Sequence, residues 1–305
     1  MGMAKRGSSR LLLPSSPNPP VGSLSCCSDV PVNVSYADIC GPSAGDEIDS
    51  LIVELSHPVP PEGDARIEDA LKLLWRVAFD GETPPPVPDP TWRRLGFQGS
   101  NPMTDLRGAS WAGLEYLISF LESGPGRVVG SGEARALALA AADGLPLGIA
   151  AMNVIFMLRA HLRLFREPPS FCPCCGVRIR GQDASPADRR RTARAMRGFA
   201  TLLKADPDAL LQVYSLSLLL ASMLWLRQHT AALGGADGET ARVVAHVQTA
   251  ASEARAAGRG DGGDERLLAF PRILQIVCRR VMAALDAAPE SAKGLRRELR
   301  IDRTW

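Results

Sequence analysis

Aromatic residues are scarce, 5% of 305 positions, so a core has to be packed mainly with aliphatic side chains and alanine. Neither sign of charge dominates. Thirty-five Lys and Arg stand against 33 Asp and Glu, leaving +2, which suits neither a nucleic-acid-coating surface nor an acidic solvating tail. No nucleic-acid partner is expected. Cysteines are few and clustered, seven in all, which excludes a disulfide scaffold. The four histidines, His57, His161, His229 and His246, show no metal-ligand spacing. The chain lacks a Gly-rich phosphate loop closing on Lys-Ser/Thr, and it lacks a Gly-x-Ser-x-Gly elbow. It is therefore not expected to bind nucleotide or any cofactor on its own. Period-2 alternation and internal repeats are also missing, which removes the case for a sheet.

Apolar residues are plentiful, at 46%, enough for a sizeable core. Fourteen of the 24 prolines fall in the first 90 residues, and little helical periodicity precedes Asp64. Residues 1–63 read as a disordered or targeting tail that buries too little apolar surface to offset chain entropy. Within it, Leu51-Ile52-Val53-Glu54-Leu55 could form a strand or a helical turn. Residues 1–28 carry Lys5, Arg6 and Arg10, no acid and many serines. That is compatible with an organelle transit peptide, although a floppy cytosolic tail is the favoured reading. Arg6 stands where a myristoylation signal needs Ser or Thr, and Pro14 cuts short the apolar Leu11–Leu13 run.

From Asp64 on, apolar residues recur at three- and four-residue spacing, and the fold class is all-α. Helices are expected over Ala65–Phe79, Ser110–Glu122, Glu133–Ala142, Pro146 to about Phe165, and Ser185–Lys204. Three more are expected from Asp206-Pro207-Asp208 to about His229, over Glu239–Ala257, and over Glu265–Ala287. The main domain is placed at 64–232, with a Cys-containing insertion at about 167–185 and a helical extension at 233–305. Ala209–Leu226 holds 18 uncharged residues, at the lower limit for crossing a bilayer. Its Gln212, Tyr214, Ser215, Ser217 and Ser222 favour a buried core helix.

Trp92-Arg93-Arg94-Leu95-Gly96-Phe97-Gln98-Gly99-Ser100-Asn101-Pro102-Met103-Thr104-Asp105-Leu106-Arg107-Gly108 is a loop by local chemistry. Gly96, Gly99 and Gly108 permit unusual backbone angles, and Asn101-Pro102 is a turn pair. Yet the segment carries Trp92, Phe97 and Leu106, apolar anchors that a passive surface loop does not need. It has to hold a shape.

These residues resemble the ELMO domain family. Its pattern is a Trp, three residues, Gly-Phe-Gln, then Pro-x-Thr-Asp-Phe-Arg-Gly before a Leu-rich helix. The chain supplies Trp92, Gly96-Phe97-Gln98 and Pro102-Met103-Thr104-Asp105-Leu106-Arg107-Gly108, then Gly113-Leu114-Glu115-Tyr116-Leu117. Leu145–Asn153 looks like the family's second block, and Trp75 and Trp225 fit its flanking helices. The chain departs from the pattern at Leu106 for Phe, at Ala109-Ser110 for Met-Gly, and at Trp111-Ala112 for a leucine pair. The resemblance, over about 65–232, implies a GTPase-activating protein for GTP-bound Arf or Arf-like small GTPases, acting in signalling and membrane traffic. Arg107 would be its catalytic arginine finger, a planar guanidinium that meets charge building on the transferred phosphoryl group. The same resemblance allows a non-catalytic interaction module or scaffold.

Around Arg107, supporting or partner-binding positions are Trp92, Gly96, Phe97, Gln98, Pro102, Thr104, Asp105, Gly108 and Asn153. Asp105 and Gln98 are placed to orient the guanidinium by hydrogen bonds. The competing reading pairs Arg107 with Asp105 or Glu115, merely pinning the loop. The N-terminus of the Ser110 helix could face the same phosphate.

Other candidates are weaker. Cys172 and Cys175 could grip one zinc, but no second Cys-x-x-Cys completes a site, so no metal is expected and reduced thiols in a loop are. Arg189, Arg190, Arg191, Arg194 and Arg197 make residues 187–204 a basic helix. Its bland reading is a solvated face; its functional one is peripheral contact with an anionic membrane or an acidic partner.

Overall fold

Ser35 sets a capping box: its hydroxyl accepts the Asp38 N–H at 3.1 Å while the Asp38 carboxylate takes the Ser35 N–H. That starts helix α1, Tyr36–Cys40. Gly41, at φ 93°, turns the chain, and Pro42 opens α2, Pro42–Leu55, at the helix position where a missing N–H costs nothing. Residues 35–55 are thus helical, not tail. Ile48, Ile52 and Leu55 share one buried face of α2, and the buried Tyr36 phenol donates to the Leu162 carbonyl at 2.8 Å. That burial offsets the ordering entropy which a proline count makes look prohibitive.

The computed structural model describes residues 35–107, 109–122, 127–142, 144–167, 169, 172, 186–231 and 263–301. Asp64 caps α3, Ala65–Ala78, by accepting the Arg66 N–H at 2.9 Å. Hydrogen bonds from the Arg66 side chain and backbone pull the Asp64 carboxyl down to about 2. A 3-10 turn, Pro90–Leu95, and a one-turn helix α4, Met103–Leu106, lead into α5, Ser110–Glu122. There follow α6, Ser131–Ala142, and α7, Leu147–His161. The remaining helices are α8, Pro186–Ala205; α9, Ala209–Ala231; α10, Gly263–Asp286; and α11, Ala292–Glu298. No strand occurs among the described residues. The helix expected at Glu239–Ala257 lies outside them.

Helix α7 stops four residues short of the expected Phe165. Leu162 and Leu164 donate to the carbonyls of Leu158 and Arg159, both at 2.8 Å, around Arg163 at φ 58°. This is a left-handed helix end of the kind glycine usually supplies, so nothing in the apolar pattern marks it.

Helix α9 is the axis of the bundle, touched by α5, α6, α7, α8, α10 and α11. Its apolar Ala209–Leu226 stretch is long enough to cross a membrane, but 89% of it is buried inside the fold. Three of its polar side chains are hydrogen-bonded: Ser215 and Ser217 donate to the carbonyls of Leu211 and Val213 at 2.7 Å, and Gln212 accepts the Val128 N–H at 3.1 Å; the buried hydroxyls of Tyr214 and Ser222 find no partner among the described residues. Helix α10 packs on α8, α9 and α7, and from Phe270 to Leu285 its buried side chains belong to the same core. Where α8 crosses it, a Cβ on Gly198 would lie 1.9 Å from the Leu285 carbonyl oxygen; only glycine allows that approach. Arg296 of α11 bonds both Glu133 oxygens, at 2.7 and 3.0 Å, and the Val128 carbonyl, at 2.7 Å.

Candidate functional site

The Trp92–Arg107 segment is built from its anchors outward. Trp92 is buried; its indole N–H donates to the Pro86 carbonyl at 3.0 Å. Its ring meets Trp75 edge-on at 5.2 Å and Phe97 at 6.3 Å, and Trp75 lies 4.4 Å from Phe79. Four of the chain's few aromatics therefore collect beneath one loop, in geometries that add to plain burial. The Arg94 guanidinium lies over the Phe79 ring at 4.5 Å and pairs with Glu82 at 3.0 Å.

Gly96 explains why the segment cannot shift. It sits at φ 83°, and a Cβ there would lie 2.3 Å from the Leu147 nitrogen and 2.6 Å from the Pro146 carbonyl carbon. Its carbonyl accepts the Ile149 N–H at 3.2 Å. Phe97 covers Gly148, where a Cβ would come within 3.0 Å of the ring. The two sequence blocks thus meet backbone to backbone at the start of α7.

Beyond Phe97 the chain turns outward. Gln98 exposes its side chain, but its backbone N–H donates to Asp105 Oδ2 at 2.9 Å. Burial raises the Asp105 pKa; the Gln98 bond opposes this and is outweighed. Asn101 accepts the Met103 N–H at 2.9 Å to start α4, the exposed Thr104 hydroxyl donates to the Asn101 carbonyl at 2.8 Å, and Pro102 is buried. Leu106 is fully buried, so this departure from the family pattern falls in the core.

Arg107 caps α4 with its side chain exposed. It makes no hydrogen bond or ion pair with any described residue, and neither Asp105 nor Glu115 holds it. Asp105 and the Gln98 backbone bind each other instead, which fixes the backbone carrying Arg107 and leaves its guanidinium without a partner among the described residues. Gly108 lies outside the described residues. Asn153 is half-buried and donates to the Ile149 carbonyl of its own helix at 3.0 Å; it reaches the loop only through the Ile149 backbone.

The start of α5 is not the open anion site that its position suggests. The Trp111 N–H donates to the His57 carbonyl at 3.0 Å, and Ala109, Ala112 and Gly113 are buried. Ser110 takes φ 65°, and its hydroxyl oxygen accepts from Arg159 at 3.1 Å. Arg159 was not among the expected site residues. It is 5% exposed, stacks over Phe165 at 4.1 Å and donates to the Leu164 carbonyl. Burial lowers its pKa to about 10. Its one sequence signal is that it is the sole Lys, Arg, Asp or Glu within α7.

On α8, Arg189, Arg190, Arg191, Arg194 and Arg197 are exposed. Arg194 is bound to Asp286 of α10 by two hydrogen bonds, one at 3.0 Å, so this face serves packing as well as solvent. Cys172 corrects the expectation of reduced thiols, being disulfide-bonded and buried, with its sulfur 3.6 Å from His161 Nε2. Cys174 and Cys175 lie outside the described residues. No cluster of three metal-ligating side chains occurs among the described residues.

Fold and site together define an all-α domain that presents an arginine-bearing loop. Residues 56–234 match the family model ELMO/CED-12 family, and the chain belongs to that family. Membership supports involvement in small-GTPase signalling. No curated protein and no solved structure matches the chain.

Proposed function

We propose that this chain is a GTPase-activating protein for an Arf or Arf-like small GTPase, with Arg107 as the arginine finger. The observation that carries the reading is an exposed guanidinium, unpaired among the described residues, on a backbone fixed at both sides of the loop. The Gly96 backbone is locked against Pro146-Leu147, and Asp105 ties α4 to Gln98. A finger has to be positioned without being neutralised. An internal carboxylate partner would compete with the phosphate, and a slack loop would lose the orientation that makes the group effective.

Docked on a GTP-loaded partner, Arg107 would place its planar fork against the oxygens of the transferred phosphoryl group, where charge grows in the transition state. The partner supplies nucleotide, metal and attacking water; this chain supplies one cation and the surface that aims it. Gln98 and Thr104, exposed on the same loop, are positions for contact with the GTPase. Trp92, Gly96, Phe97 and Pro102 act by holding the loop. Cytoplasmic action at a membrane surface, with the α8 arginines facing anionic lipid, is part of the same proposal.

The test is GTP hydrolysis by a panel of Arf and Arf-like GTPases, with and without the full chain. Stimulation of one or more members supports the proposal. Binding to a GTP-loaded member with no stimulation anywhere in the panel would leave the non-catalytic module as the function.

A further inference from the structure

His161 is the last residue of α7, and Cys172 follows eleven positions later. The fold returns the chain so that Cys172 Sγ lies 3.6 Å from His161 Nε2, with the two residues 1% and 4% exposed. Cys172 is also disulfide-bonded, so a second cysteine sulfur is necessarily attached at the same point. One imidazole nitrogen and two sulfurs therefore meet at the end of α7. In the sequence, Cys172 opens a Cys-x-x-Cys pair that lacks further ligands, and His161 shows no metal spacing. Folding supplies what spacing could not, a histidine nitrogen beside the first of those cysteines. A disulfide sulfur is only a weak acceptor, so hydrogen bonding alone gives a buried ring nitrogen little reason to face it.

We propose that, once the disulfide is reduced, His161 Nε2, Cys172 Sγ and the sulfur now bonded to Cys172 hold a zinc ion. The distance fits. Tetrahedral zinc, with Zn–S of about 2.3 Å and Zn–N of about 2.0–2.1 Å, sets neighbouring sulfur and nitrogen ligands roughly 3.6 Å apart. The charge fits as well: one zinc dication, two thiolates and a neutral imidazole sum to zero, which a buried place tolerates. Imidazole with thiolates selects zinc over the oxygen-seeking magnesium and calcium. Reduction takes two monothiols of the glutathione class, which give two electrons and two protons and leave as their own disulfide. The cysteines emerge as thiols, and zinc displaces both protons as it binds. The metal would clip the following chain to the last turn of α7, where the Tyr36 phenol already bonds the Leu162 carbonyl. Gly96 docks at the other end of α7, so the site is independent of the Arg107 reading.

The experiment uses the full chain, reduced with glutathione, stripped with a chelator and moved to oxygen-free, thiol-free buffer. Calorimetric titration with zinc is expected to show saturable binding with proton release and a raised Tm. Cobalt(II) is expected to give a sulfur-to-metal charge-transfer band and the intense visible bands of a tetrahedral site. The oxidised chain is expected to bind neither ion. Cys172→Ser and His161→Gln are each expected to weaken zinc at least about hundredfold, since even outer partners of a metal site cost about 10–100-fold when lost. Should either variant not fold, X-ray absorption at the zinc edge of the wild-type chain decides: sulfur at about 2.3 Å together with imidazole is expected. No zinc binding by the reduced chain, equal binding by the oxidised chain, undiminished affinity in either variant, or a zinc shell without imidazole would overturn the proposal.

Discussion

The Asp105 carboxylate accepts the Gln98 backbone N–H at 2.9 Å, and this bond joins the two halves of the loop that ends in Arg107. Burial raises the Asp105 pKa despite that bond, so between its unfolded value, about 3.9, and its folded value the native state holds more proton than the unfolded state. Stability from this group is greatest below that interval and is lost as pH rises through it. Asp105→Asn keeps an acceptor for Gln98 and does not titrate. Urea midpoints for the pair should therefore diverge in favour of the variant as pH goes from about 3.5 to 7. A gap that is constant with pH would mean that Asp105 is not desolvated.

Gly96→Ala should destabilise strongly. The new methyl meets backbone, not a movable side chain, 2.3 Å away at Leu147, and the residue sits at φ 83°. Overpacking and left-handed strain together cost about 2–4 kcal/mol, or roughly 5–15 °C in Tm. Gly63 is the control: φ 87° with nothing within 4 Å of its Cβ position. Gly63→Ala should lose only the backbone part, about 1–2 kcal/mol. Equal losses at the two sites would contradict the close docking of the loop on α7.

Arg159→Ala should cost about 2–3 kcal/mol. It removes the hydrogen bonds to Ser110 and the Leu164 carbonyl together with the stacking on Phe165. Hydrogen exchange should rise at the start of α5 more than in α9. Uniform exchange throughout would mean that Arg159 does not support the Ser110 turn.

Much of this architecture is legible from the chain. Helical spacing finds α3 and α5–α10, and the Trp92–Arg107 run announces a shaped loop because it mixes glycines with large anchors. What escapes is set by tertiary structure. Helix α2 was hidden by its proline-rich flanks, although Ile48, Ile52 and Leu55 already lie on one face. The end of α7 was missed because Arg163, not glycine, takes the left-handed angle. Asp105 could be singled out, but its partner could not. Whether it turns to Arg107 or to the Gln98 backbone depends on where the loop folds back. The closeness of Gly198 to Leu285 has no local signature at all.

The apolar α9 makes a separate prediction. With most of Ala209–Leu226 covered by other helices, carbonate extraction of cell membranes should leave the protein in the supernatant. Retention in the pellet would mean that this stretch leaves the bundle and enters the bilayer.

The most direct measurement is single-turnover GTP hydrolysis by a responsive Arf-like GTPase at saturating concentrations of wild type, Arg107→Ala and Arg107→Lys, with affinity measured alongside. A finger predicts that both variants bind within a few-fold of wild type and lose about 10³-fold or more of the stimulated rate. Lysine should fail because it lacks the planar fork. Stimulation that survives in Arg107→Ala, with binding intact, would contradict the account.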